Sequence, residues 1–162
     1  MTMRFRNSGR SPDRQTTTVG SRFPDPYEIR LRTYVEAEFS STSPREENLA
    51  RAALAAIRCK PLRRAESVVY VDFPTVKLLG DYYDSRVRGL QLRAGVCEGK
   101  DAGPEDSCSY GKDNVRGRRL CYVGGDGTSW IEWIDYRRHT YAYAHRSDNR
   151  LPILFKWWTE DE

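Results

Sequence analysis

A chain of 162 residues has room for one domain of ordinary size and excludes a pair of large catalytic domains. With 38% hydrophobic and 12% aromatic residues it can bury a core, so wholesale disorder is excluded as well. The net charge of +4 is concentrated at one end, where residues 1–32 hold seven arginines against Asp13, Asp25 and Glu28, and the remainder is balanced.

Nucleic acid is therefore not the expected partner, because phosphate binding is normally served by a basic face or groove of a folded domain. No apolar run reaches 18 residues and no N-terminal stretch has the form of a secretory leader. The expectation is a chain with no membrane span, which stays cytoplasmic if it is complete as written.

Residues 1–26 are rich in Ser, Thr, Arg, Gly and Pro without hydrophobic period and read as a disordered basic tail or linker, leaving 27–162 as a single α+β domain. Tyr27 to Phe39 alternates apolar and charged side chains, which predicts a strand or extended lead-in. Ser43-Pro44-Arg45-Glu46 is a helix start signal, and Leu49, Ala52, Ala53, Ala56 and Ile57 recur at three and four, predicting a helix over 44–57. Val68 to Phe73 is β-branched and aromatic and predicts a buried strand. Val76, Leu79, Tyr83 and Val87 then predict a helix over 75–88.

From Gly89 to Gly117 there is no period, so a long loop is expected, placed near any binding surface. Arg118–Val123 and Thr128–Ile134 flank the turn Gly124-Gly125-Asp126-Gly127 as a hairpin. Thr140–His145 alternates again after a short turn, completing a three-strand meander. Leu151, Leu154, Phe155 and Trp158 give a closing helix begun near Asn149. The predicted class is α+β: an antiparallel sheet with a C-terminal meander, packed by about three helices.

Few residues carry a chemical signal. A phosphate cradle needs a helix start after its glycines, whereas a strand follows Gly127. His139 and His145 are separated by six positions on an extended segment, roughly 20 Å from end to end, too far for one metal ion. His145-Arg146-Ser147-Asp148-Asn149 lacks the companions of a kinase catalytic loop. The pattern calls for no cofactor and no metal.

Glu132, between Trp130 and Ile134 on one strand face, is a candidate proton donor, but pairing with Arg119, Arg137 or Arg138 across the sheet is the favoured reading. Trp130, Trp133, Trp157 and Trp158 are read as core rather than as a stacking platform. Tyr141, Tyr143 and Glu132 remain the candidate ligand-binding residues, and no catalytic residue is assigned.

The four cysteines, Cys59, Cys97, Cys108 and Cys121, lack C-x-x-C spacing and suit disulfides better than zinc. Three pairings are open. Cys97–Cys108 would staple the long loop and leave Cys59–Cys121; four reduced thiols are the alternative.

Val69-Tyr70-Val71-Asp72-Phe73, with Leu78, Leu79, Tyr82 and Tyr83 in the helix that follows, forms one block. A second comprises Leu120-Cys121-Tyr122, Asp126-Gly127, Trp130-Ile131-Glu132-Trp133-Ile134-Asp135 and Leu154-Phe155-Lys156-Trp157-Trp158. Through these, the segment from about Ala55 to Trp158 resembles the extracytoplasmic C-terminal domain of actinobacterial membrane-anchored Ser/Thr protein kinases and related lipoproteins. The resemblance implies a non-catalytic sensor or ligand-binding domain, outside the cytoplasm, for an unknown ligand or protein partner. The competing expectation is a cytosolic accessory protein that binds nucleic acid or a protein through its arginine-rich tail.

Overall fold

The computed structural model describes residues 26–33, 39–43, 52–61, 64–91, 97, 104–109 and 115–160, with backbone alone at 39–43, 104–109 and 115–116. In chain order the elements are α1 (Pro26–Arg32), β1 (Phe39–Ser43), β2 (Ala55–Pro61), β3 (Ser67–Asp72), α2 (Val76–Leu90), β4 (Pro104–Ser109), β5 (Val115–Val123), β6 (Ser129–Asp135), β7 (Thr140–Arg146) and α3 (Leu151–Glu160). The strands form one sheet in the order β1-β2-β3-β7-β6-β5-β4. Every neighbouring pair is antiparallel. The class is thus α+β, with β5, β6 and β7 as the expected meander.

The period of two along each strand divides the core into two layers. On one face α1 contributes Leu31 and α3 contributes Leu151, Leu154, Phe155, Trp157 and Trp158, packed on Ile57, Val68, Ile131, Trp133 and Ala144. On the other face Leu79 and Tyr83 of α2 pack on Val69, Val71, Leu120, Ile134 and Tyr141. Helix α2 begins where Thr75, extended at φ −145°, accepts the Leu78 N–H on its hydroxyl at 3.2 Å. It ends at Gln91, left-handed at φ 51°. At the β5–β6 turn Gly127 adopts φ +81°, which glycine takes without steric cost, and Gly124 N–H reaches Thr128 O at 2.8 Å.

Three expectations are corrected. The alternation at Tyr27–Leu31 is a short helix, not a strand; Pro26 stands at its first position, where its missing N–H costs nothing, and Leu31 is the residue it buries. The C-terminal part of the helix expected over 44–57 is turn at 52–54 and strand from Ala55, while 44–51 lie outside the described residues. Pairing to both β1 and β3 supplies β2 with hydrogen bonds on both edges, and this outweighs the helix propensity of its alanines. The segment 89–117 is not one loop, since β4 and the start of β5 fall within it. Residues 1–25, expected as a basic tail, and positions 92–96, 98–103 and 110–114 lie outside the described residues.

The cysteine pairing also differs. Cys97 is bonded to Cys121, with Cα atoms 5.2 Å apart, and Cys59 is a buried free thiol. A Cys59–Cys121 bond is geometrically impossible, because β2 and β5 are four strand intervals apart, about 19 Å at the usual spacing. Burial pushes the Cys59 thiol up to about 11, so it stays protonated. The side chain of Cys108 lies outside the described residues. Among the described residues no helix is long and apolar enough to cross a membrane.

Candidate functional site

On the α2 face the strands place Tyr122 beside Trp130, Trp130 beside His145, and Glu132 beside Tyr143 in direct cross-strand register. Helix α2 covers only part of this face. Where its Tyr82 and Arg86 meet the sheet, a cleft of about 250 Å³ opens, lined by Tyr82, Arg86, Trp130, Glu132, Tyr141 and Tyr143. The three sequence candidates, Glu132, Tyr141 and Tyr143, are therefore brought together.

At the floor of the cleft the Glu132 side chain is 1% exposed. Its Oε1 accepts from Arg86 Nη2 at 2.5 Å and from the Tyr122 hydroxyl at 2.8 Å. Its Oε2 accepts from Arg86 Nε at 3.2 Å and from the Tyr141 hydroxyl at 2.7 Å. A carboxylate removed from water costs several kcal/mol unless paired and hydrogen-bonded. Here a forked guanidinium and two phenols meet that need. The same contacts hold the Arg86 proton more tightly than usual, the Glu132 hydrogen bond being the main cause. Burial, followed by the charge of Glu132, raises the Tyr122 and Tyr141 phenols, so both remain O–H donors.

Two polar groups at the cleft stay unspent among the described residues. The fork uses Nε and Nη2 of Arg86 and leaves Nη1 without a protein partner, on a side chain 38% exposed. The Tyr82 hydroxyl likewise has no hydrogen-bond partner, while its ring stands edge-on to Tyr141 with centroids 4.9 Å apart. Burial raises the Tyr82 phenol as well. Trp130 forms the opposite wall, half-buried, with Tyr143 at 6.1 Å and His145 at 5.0 Å between ring centroids.

The partner expected for Glu132 is corrected. Arg119 projects to the opposite face, where its guanidinium lies over Phe155 and Trp158 at 4.9 and 5.1 Å. Arg137 and Arg138 sit in the β6–β7 turn, with their backbone N–H groups bonded to Asp135. The cation comes instead from α2. Neither Arg86 nor Tyr82 is among the ligand candidates read from the sequence, although their spacing of four on a recognised helix puts them on one side of it. Of the indoles, Trp133, Trp157 and Trp158 are core, whereas Trp130 lines the cleft.

His139 lies in the β6–β7 turn at φ 53° and contributes nothing to the cleft. His145 stands at its margin, its Nδ1 3.9 Å from Glu66. Burial lowers its pKa, Glu66 opposes the shift and Arg58 adds to it. Among the described residues no group of three His, Cys, Asp or Glu side chains is placed to hold a metal ion. No family model, curated protein or solved structure matches this chain.

The arrangement is suited to holding a molecule. A general acid or base needs a lone pair or proton available to substrate, and both Glu132 oxygens are occupied by protein donors. The carboxylate instead fixes Arg86 and two tyrosines in position.

Proposed function

We propose that this chain is a non-catalytic, sensor-type ligand-binding domain, in line with its resemblance to the extracytoplasmic part of bacterial Ser/Thr protein kinases. The observation that carries this reading is the cleft between α2 and the sheet, where aromatic walls surround an arginine whose outer nitrogen is unpartnered. The lining mixes ring surface with polar groups, and a few fixed polar groups are what orient a ligand in a small-molecule site. The Cys97–Cys121 bond supports an oxidising, extracytoplasmic setting. Because α2 contributes Tyr82 and Arg86 while the sheet supplies the other wall, an occupant touches both, which offers a route by which binding alters how α2 sits.

The test is a crystal of the full chain soaked with a mixed cocktail of small organic fragments. Fragments gathered between Tyr82 and Trp130 are expected. Fragments found only elsewhere, or an α2 packed so that no solvent reaches Arg86, refute the reading.

A further inference from the structure

We propose that the cleft takes a small, uncharged ring bearing a carbonyl acceptor, an inference that rests on the binding reading above and gives it a chemistry. Charge is the first argument. Glu132 and Arg86 form a pair that cancels within the site, but its members are not equally accessible, the arginine side chain being 38% exposed and the glutamate 1%. A cation entering the cleft meets the guanidinium first and is repelled. An anion meets Arg86 with Glu132 directly behind it, and it gives up its own hydration for an attraction already spent on the buried carboxylate. An uncharged ligand incurs neither cost.

Hydrogen bonding is the second argument. The lone pairs of Glu132 are taken by Arg86, Tyr122 and Tyr141, so the floor has no strong acceptor left to offer. Among the lining groups the Nη1 edge of Arg86 is a pure donor, and the Tyr82 hydroxyl donates or accepts. The complementary group is an acceptor on the ligand, and a carbonyl oxygen accepts two bonds from such an edge. The walls complete the case, because the aromatic side chains Trp130, Tyr143 and Tyr82 line the same cleft as Arg86. Aromatic walls gain most from a flat ring. About 250 Å³ equals the liquid volume of about eight water molecules, room for one substituted ring.

The experiment titrates the full chain with three probes of the same shape and different charge: benzamide, benzoate and benzamidinium. Calorimetry reads the affinities for the wild type, for Arg86→Lys, which keeps a cation for Glu132 but loses the Nη1 edge, and for Tyr143→Ala, which removes a half-buried wall. Benzamide is expected to bind at least about tenfold more tightly than either charged probe, and each variant to weaken it by at least about fivefold. If benzoate or benzamidinium binds best and both variants still weaken it, the ligand chemistry is wrong while the cleft remains the site. If no probe binds more tightly than about 10 mM, or if benzamide binding is indifferent to both variants, the proposal and the binding reading beneath it both fail.

Discussion

Replacing Arg86 by methionine keeps most of the side chain's length and apolar stem but removes the cation from the floor of the cleft. Glu132 then keeps the Tyr122 and Tyr141 hydroxyls at 2.8 and 2.7 Å and loses both bonds from the guanidinium. Breaking a buried ion pair from one side costs about 3–5 kcal/mol, because a charge is left in a poorly solvated place. Arg86 is 38% exposed, so water reaches part of the vacated edge, and about 3 kcal/mol is the expected loss. For a chain of this size that is about 6–12 °C in melting temperature.

Urea unfolding followed by tryptophan fluorescence, with an unchanged slope, measures the loss directly. Adding Glu132→Leu to Arg86→Met should recover about half of the loss, because two unsatisfied phenols cost less than an unpaired carboxylate. An Arg86→Met protein within about 0.5 kcal/mol of wild type would refute the reasoning.

Reducing the Cys97–Cys121 bond, or replacing both residues by serine, frees a loop spanning 24 positions and should cost about 3 kcal/mol in urea unfolding; a change near zero contradicts this. Burial raises the Asp72 carboxyl above its ordinary 3.8 in spite of its ion pair with Arg30 of α1. A folded value above the unfolded one means that the stability Asp72 contributes is full below the unfolded value and is lost as pH rises through the folded one. Stability curves collected upward from about pH 3.5 should therefore shift in favour of Asp72→Asn relative to wild type, and a difference constant with pH refutes the assignment. A Cβ at Gly117 would lie 1.5 Å from the Ile134 carbonyl oxygen, whereas at Gly125 it meets nothing within 4 Å. Gly117→Ala should cost about 3 kcal/mol and Gly125→Ala less than about 0.5, and equal costs would remove the clash as the explanation.

The legible parts of the fold were those in which local pattern and tertiary pairing agree. Val68–Phe73, the meander and the terminal Leu-Phe-Lys-Trp-Trp helix combine the right period with the right residue types, and each forms as expected. Strand β2 was hidden because alanines at 52, 53, 55 and 56 satisfy a helical stripe as well as a buried strand, and the deciding information lies in its neighbours β1 and β3. Among the described residues strand β4 pairs with β5 alone, with two irregularities in register, and Pro-Glu-Asp-Ser-Cys-Ser carries no alternating signature.

At the site, Glu132, Tyr141 and Tyr143 emerged from strand alternation because all three share a sheet face. Arg86 did not emerge. A cation reaching from a helix to a strand 46 positions later follows no local period, and the nearer arginines were the natural guess. The sequence leaves the disulfide pairing open for the same reason: strand order, which linear spacing does not contain, decides which cysteines meet.

The most direct measurement follows the four indole N–H resonances of ¹⁵N-labelled protein while benzamide is added. Trp133, Trp157 and Trp158 are buried in the opposite layer and should hold their positions, whereas Trp130 should shift progressively to saturation. A Trp130 resonance that stays fixed while the protein binds benzamide, or four indoles that move together, would contradict the claim that this cleft is where the molecule meets its ligand.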